Sequence, residues 1–248
     1  MQIQIYPPLA FSEIGQRQNN EDAIFPDIET ANDQQKLFLV CDGVGGMNKG
    51  EVASNLACQI FAKYIAENPN KSTREYIQNA IKEVQKSFSL YESQHQTAQG
   101  MATTLTMLHI HESGITLAHV GDSRIYHIRN GKILYKSDDH SLVNEYLKHK
   151  LITPEQAVYH PQRHIILQAI QTNREVKADI CLSTDIEAED YFFLCTDGVL
   201  EHLTDAALCA ILSQHSSDKE KIEAIKNYSQ GNTQDNFSAY LICILDKE

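Results

Sequence analysis

Long apolar runs are missing from this 248-residue chain, and none approaches the roughly 20 residues that cross a bilayer. The first eight residues, MQIQIYPP, hold no basic stretch and no apolar core, which predicts a chain without a secretory leader, in the cytoplasm. Positive charge is also short. Lys and Arg number 21 against 33 Asp and Glu, a formal charge of −12, which argues against a nucleic-acid binder with its basic face. An anionic substrate stays possible provided something local and positive receives it. The six cysteines form no close pair and no C-x-x-C, and they sit in apolar runs, which reads as reduced core thiols rather than a catalytic or disulfide framework. Linkers, low-complexity tracts and internal repeats are absent, so one domain over residues 1–248 is expected. With no long exposed apolar stripe, a monomer is the default.

What is present is a grouped pattern of strands and helices. Residues 37–41 (LFLVC) form a short apolar run of buried-strand type. Apolar residues at Val52, Leu56, Ile60, Phe61, Tyr64 and Ile65 follow helical spacing. Ser72-Thr73-Arg74-Glu75 has the pattern of a capping box opening a second helix through Ile77, Ile81, Val84 and Phe88. Strands are expected at 103–111, 115–120, 125–128 and 132–135, the last two joined by a hairpin across Arg129-Asn130-Gly131. A helical stretch follows from Ser141, and Thr153-Pro154-Glu155-Gln156 reads as N-cap, N1 and box-closing residue of a further helix. A strand at 191–195, helices at 204–212 and 219–228 and a strand at 237–244 complete the chain. Strands grouped without a βαβ rhythm argue for an α+β fold with antiparallel sheets.

Acidic residues recur where strands end. Asp42-Gly43 follows 37–41, Asp122 follows 117–121, Asp197-Gly198 follows 191–196, and Asp235-Asn236 precedes the last strand; Glu21-Asp22 lies just after Arg17. Any single Asp-Gly is an ordinary turn. Strand ends gather at one rim of a sheet, however, and carboxylates crowded there repel unless a cation neutralises them. Oxygen donors without His or Cys companions select hard ions, Mg²⁺ or Mn²⁺. Hard-metal hydrolysis and a set of unrelated turns both remain open at this level.

Taken in order, RQNNED at 17–22, CDGVGG at 41–46 with Gly50-Glu51, GDSR at 121–124, TDG at 196–198 and DNFS at 235–238 resemble the motifs of the PP2C (PPM) family of metal-dependent protein serine/threonine phosphatases. The resemblance runs from about residue 12 to residue 244 and is to the compact bacterial branch. It implies a four-layer α-β-β-α sandwich of two antiparallel sheets, with a metal centre at one end. It also implies a two-ion site for Mn²⁺ or Mg²⁺ bridged by Asp42, with the Gly43 carbonyl, Glu21, Asp197 and Asp235 completing it. Asp22 would support these ligands from behind. Asp122, with Asp197, would hold a third, weaker ion, and Arg17 would hold the substrate phosphate. Water activated by the ions would then attack phosphorus, and no Ser or Cys nucleophile is needed. Phosphorylated proteins are the implied substrates, with a Ser/Thr kinase as the opposed partner.

The chain departs from the family in places. Val44 stands where some eukaryotic members carry a histidine acid, so the leaving-group proton must come from elsewhere. Ala102 replaces a glycine before Thr103-Thr104, and ILQAIQ at 166–171 replaces a Thr-Arg-Ala-Leu-Gly-like stretch. Residues 139–168 resemble a flap beside the active site and contain His140, His149, His160 and His164. Of these, His140 is expected to be a buried hydrogen-bonding residue and the others to lie at the surface. His109 and His111 are expected on a solvated strand face, and Arg124 is expected to hold a loop. Two other functions fit the same scaffold: a phosphatase or phosphodiesterase for small molecules, and a non-catalytic binding module. The presence of Glu21, Asp22, Asp42, Asp122, Asp197 and Asp235 weighs against the second.

Overall fold

In a computed structural model, described for residues 2–44 and 49–247, the chain forms thirteen strands and seven α-helices. They run β1 (Ile3–Ile5), β2 (Leu9–Glu13), β3 (Asp22–Phe25), β4 (Leu37–Val44), α1 (Gly50–Ala66), α2 (Arg74–Gln94), β5 (Ala102–Thr103), β6 (Leu105–His111), β7 (Gly114–Val120), β8 (Arg124–Arg129) and β9 (Lys132–Lys136). Next come α3 (Leu142–Lys148), α4 (Pro154–Val158), β10 (Ile170–Gln171), β11 (Asp179–Ser183), β12 (Tyr191–Cys195), α5 (Asp197–Leu200), α6 (Asp205–Leu212), α7 (Asp218–Ser229) and β13 (Phe237–Lys247). The Gly45 and Gly46 of the CDGVGG motif lie outside the described residues.

All pairings are antiparallel. One sheet is ordered β1-β13-β12-β8-β9, with β2 also on β13; the other is ordered β10-β5-β4-β6-β7-β11, with β3 also on β4. Alternation along the central strands builds three apolar seams. Phe38 and Val40 of β4 meet Phe192 and Leu194 of β12 and Tyr240 and Ile242 of β13 between the sheets. Their neighbours Leu37, Leu39 and Cys41 face outward onto α1 and α2. On the far side Tyr191, Phe193 and Cys195 face α6 and α7. Because both faces of these strands are covered, they read as continuous apolar runs rather than as alternating ones. The result is the expected α-β-β-α sandwich. No helix among the described residues is long and apolar enough to cross a membrane.

Several expectations change in detail. Helix α2 is capped by Thr73, whose side chain accepts from the Tyr76 N–H, not by Ser72; the Ser72 hydroxyl instead meets His109 Nδ1 at 3.3 Å. His109 and His111 are buried, not solvated, because the turn before α2 covers that face; His111 Nε2 lies 2.8 Å from the Thr116 hydroxyl. Strand β4 continues through Asp42 and Gly43, which pair with Asp22 and Thr103, instead of stopping at Cys41. All six cysteines are free, though Cys181 and Cys209 are only half-buried. The hairpin at Asn130-Gly131 forms with φ of 50° and 68°, the left-handed pair of a type I′ turn. The Thr153–Gln156 capping box forms as read.

Candidate active site

At one end of the sandwich, ends of strands from both sheets converge. Asp42 sits near the end of β4, Glu21 just before β3, Asp122 in the β7–β8 turn, Asp197 at the first residue after β12 and Thr196, and Asp235 two residues before β13. Backbone groups fix these positions. The Asp42 N–H donates to the Thr104 hydroxyl (2.9 Å), and the Asp42 carbonyl accepts from the Thr104 N–H (2.8 Å) and the Thr103 hydroxyl (2.8 Å). The Thr104 hydroxyl shares a hydrogen bond with Ser123 (2.7 Å), tying Asp42 to the turn that carries Asp122. Asn236 accepts from the Glu21 N–H (2.9 Å) and donates to the carbonyls of Ile14 and Asn19, which joins the Arg17–Glu21 segment to the start of β13. Gly50 lets α1 start against this cluster: a Cβ there would lie 2.5 Å from the Gly43 carbonyl and 2.7 Å from Glu21 Oε2.

Arg17, Glu21, Asp42, Gly43, Asp122, Asp197 and Asp235 line one cavity of about 740 Å³. Asp22 does not reach it. Asp22 is buried behind the cavity floor and accepts from the Thr196 hydroxyl at 3.0 Å. Arg17 Nη2 donates to Asp235 Oδ2 at 2.8 Å, with the Arg17 side chain 55% exposed. The other walls are Val44, residues of the 139–168 segment that the sequence places beside the site as a flap, and residues that the sequence did not single out. Tyr159, Arg163 and Ile166 come from the 139–168 segment, as does His164, and Glu201, His202, Asn232 and Gln234 come from the opposite side. Glu201 follows Asp197 by four residues on a helical turn, a spacing that could have flagged it. The flap resemblance placed the 139–168 segment beside the site, but nothing in the sequence singled out Tyr159 or Arg163 within it.

The electrostatics of the cluster are unfavourable as they stand. Burial, then the charges of Asp22, Asp197, Asp122 and Asp235, hold the Asp42 carboxyl well above the usual carboxylate range. Burial and then Asp197 push Asp122 up to about 8. Burial raises Asp22 to about 7, and burial with Asp235 raises Asp197 to about 6. Glu21 is raised by burial and then by Glu51. Asp122 Oδ1 and Asp197 Oδ1 are buried with no hydrogen-bond partner among the described residues. Crowded carboxylates with orphaned oxygens are what a set of hard-cation ligands looks like.

The protein phosphatase 2C family model matches residues 11–228. The chain belongs to the protein phosphatase 2C family. Among curated relatives, the serine/threonine phosphatase stp of Listeria innocua is 32% identical over 234 residues, covering 91% of this chain and 90% of that one. Protein phosphatase PhpP of Streptococcus pneumoniae is 30% identical, covering 96% and 97%. A solved structure of the catalytic domain of the serine/threonine protein phosphatase PstP, in complex with two manganese ions, superposes with a TM-score of 0.83 at 25% identity, covering 99% of this chain and 100% of that one. This PP2C member is therefore a protein serine/threonine phosphatase of a metal-dependent family, as its motifs imply.

Proposed function

We propose that the enzyme removes phosphate from phosphoserine and phosphothreonine in proteins at the cavity floored by Asp42, Asp122 and Asp197, with Mn²⁺ or Mg²⁺ as the resident ions. The observation that carries this reading is the pair of orphaned buried oxygens, Asp122 Oδ1 and Asp197 Oδ1, within a carboxylate cluster facing Arg17. All-oxygen donors suit these hard ions and not Zn²⁺ or Cu²⁺. Asp42 would be the shared ligand of two ions, Glu21, Asp197, Asp235 and the Gly43 carbonyl would complete that pair, and Asp122 with Asp197 would hold a third and weaker one. When bound, the ions would supply the Lewis acidity that activates water for attack on phosphorus.

The chain's own residues do the rest. Asp22, paired with Asp42 across β3 and β4, accepts from the Thr196 hydroxyl and so ties the end of β4 to the residue before Asp197. Arg17 offers its fork to the phosphoryl oxygens, orients phosphorus and offsets the charge that grows in the transition state. Val44 lines the cavity and has no proton to give, so the leaving oxygen takes its proton from water or from another wall residue. The 139–168 segment brings Tyr159, Arg163 and His164 over the cavity, where a phosphopeptide chain would pass. The opposed activity is a Ser/Thr kinase, and the proposed setting is a cytoplasmic monomer.

The test is phosphate release from a phosphothreonine peptide in Mn²⁺ and in EDTA, beside Asp42→Asn, with nucleotides and sugar phosphates as competing substrates. Metal-dependent release from the peptide, lost in the variant, is expected. Turnover in EDTA, or turnover confined to small phosphates, would contradict the reading.

A further inference from the structure

The turn that carries Asp122 is clamped on both flanks by three consecutive residues at the root of the 139–168 segment. Before Asp122, His119 Nε2–H donates to the Asp138 carbonyl at 2.8 Å. After it, Arg124 meets Asp139 through two parallel bonds of 2.6 and 2.7 Å. Between these, His140 and Gly121 exchange hydrogen bonds: the His140 N–H donates to the Gly121 carbonyl (2.9 Å), and the Gly121 N–H donates to His140 Nδ1 (3.1 Å). His140 also holds the other root of the segment, since its carbonyl accepts from the Leu167 N–H at 2.7 Å and its Nδ1 lies 2.9 Å from Gln168 Nε2.

These bonds determine the state of the ring. Gln168 Oε1 accepts from the Lys177 N–H (3.1 Å), so its Nε2 is the group turned toward His140. His140 Nδ1 thus accepts from two donors, and the ring proton sits on Nε2, which lies 3.4 Å from Asp179 Oδ2. His119, His140 and Asp179 do place one ligand atom each within 4.8 Å of one another, the spacing of a metal trio. A metal at Nε2 would require the ring proton on Nδ1, against the Gly121 N–H. His140 therefore serves as a post in a hydrogen-bond frame and not as a ligand. The ring stacks on His119 with centroids 4.6 Å apart, which fixes its plane.

We propose that His140 is a positioning residue for Asp122: by holding Gly121 at both its N–H and its carbonyl, it sets the direction of the Asp122 carboxylate in the frame of both flap roots. Gly121 has a φ of 102° and packs so tightly on Thr104 that a Cβ would lie 2.6 Å from its methyl carbon. The backbone there has one tolerated path, and His140 supplies both bonds that select it. Loss of the ring acceptor frees the Val120–Gly121 peptide, while the backbone bond to the Gly121 carbonyl stays, and so loosens the approach to Asp122 and weakens cation binding at Asp122 and Asp197, leaving the pair around Asp42 in place. This rests on the cation reading above.

The experiment is calorimetric titration of the EDTA-stripped full chain with Mn²⁺, comparing the parent, Asp122→Asn, His140→Leu, His140→Asn and Asp139→Asn, with circular dichroism to confirm folding. His140→Leu is expected to weaken the third, weaker equivalent about tenfold, as Asp122→Asn does or nearly so, with the tight pair changed less than about threefold. In His140→Asn the side-chain oxygen can accept the Gly121 N–H, so binding returns to within about threefold of the parent. Asp139→Asn, which keeps the ring and loses one charged bond, is expected to weaken the third ion about threefold. A folded His140→Leu that binds the third ion like the parent overturns the proposal, as does equal weakening of every ion in both His140 variants. Should His140→Leu fail to fold, an Asp139→Asn chain with unchanged third-ion affinity overturns it instead. A parent that binds no Mn²⁺ overturns the cation reading itself, and this inference with it.

Discussion

Strand β12 has a buried aspartate just before its start and a cavity aspartate just after its end, and the two are treated in opposite ways. Asp190 is fully buried, and its two oxygens accept from Arg129 Nε (2.7 Å), Arg129 Nη2 (2.8 Å), His127 Nε2 (2.9 Å) and the Glu187 N–H (2.9 Å). Burial works against its ionisation, but the bonds from Arg129, Glu187 and His127 prevail and lower its pKa. Asp197, beyond the other end of the strand, keeps an orphaned oxygen and is pushed up to about 6. The same residue type is thus satisfied by the protein at one end and left for something else at the other. Two arginines repeat the contrast. Arg129 is 16% exposed and bonds to three acids, whereas Arg17 is 55% exposed and bonds to Asp235. One end is structural and the other is poised for ligands.

The comparison breaks most visibly through Asp42. Asp42→Asn is expected to lower phosphopeptide turnover by about 10³-fold or more, because the proposed shared ligand is lost. In EDTA, at a pH high enough to ionise the raised carboxyls, the same change should raise the melting temperature, since it removes one charge from a self-repelling group. A lower melting temperature in EDTA would mean the carboxylates are not in conflict. At the other end, Asp190→Ala should cost about 3–5 kcal/mol of unfolding free energy, because Arg129 is left without its main partner. Urea unfolding reads this cost, and Mn²⁺ affinity should not change.

The pH dependence should also differ in sign between the two ends. Asp122, Asp22 and Asp197 have folded pKa values of about 8, 7 and 6, above the unfolded value near 4. The folded state therefore binds more protons across this window. Their contribution is complete below about pH 4 and is lost as pH rises through 6 to 8. In EDTA the melting temperature should fall over that range, and saturating Mn²⁺ should remove the fall. Asp190 is lowered instead, so its contribution is present above about pH 4 and is lost on acidification. Asp190→Ala should flatten only the acid limb. The smallest effect is expected from Arg17→Ala: KM for a phosphopeptide rises about tenfold, with Mn²⁺ affinity and stability little changed. A collapse of Mn²⁺ affinity would remove Arg17 from the phosphate-holding role.

The difference between the two ends also explains what could be read from the sequence. Asp42, Asp122, Asp197 and Asp235 stand at strand ends in ordered motifs, and strand ends meet at one rim, so the carboxylate cluster was legible without coordinates. Asp190 was not, because AED before an apolar run looks like a solvated turn, and only the fold brings Arg129 and His127 to it. His109 and His111 were misread for a related reason. Alternation along a strand says which residues share a face, but the turn before α2 decides that this face is covered. The walls of the site came from residues far apart in sequence; the flap resemblance brought 139–168 to the site without marking Tyr159 or Arg163, and no local pattern marks His202 or Gln234. Strand β4 was read as ending at Cys41 because Asp-Gly usually turns; pairing with β3 and β5 carries it on to Val44.

The most direct test of the central claim, that one end of the sandwich keeps its carboxylates unpaired for cations, is a calorimetric Mn²⁺ titration of EDTA-stripped protein at pH 7 in two buffers of different protonation enthalpy. Two tight ions bound with release of protons from the raised carboxyls are expected, since burial and neighbouring charges hold Asp42 well above the usual carboxylate range and Asp122 at about 8. Absence of binding, or tight binding with no proton exchanged, would contradict it.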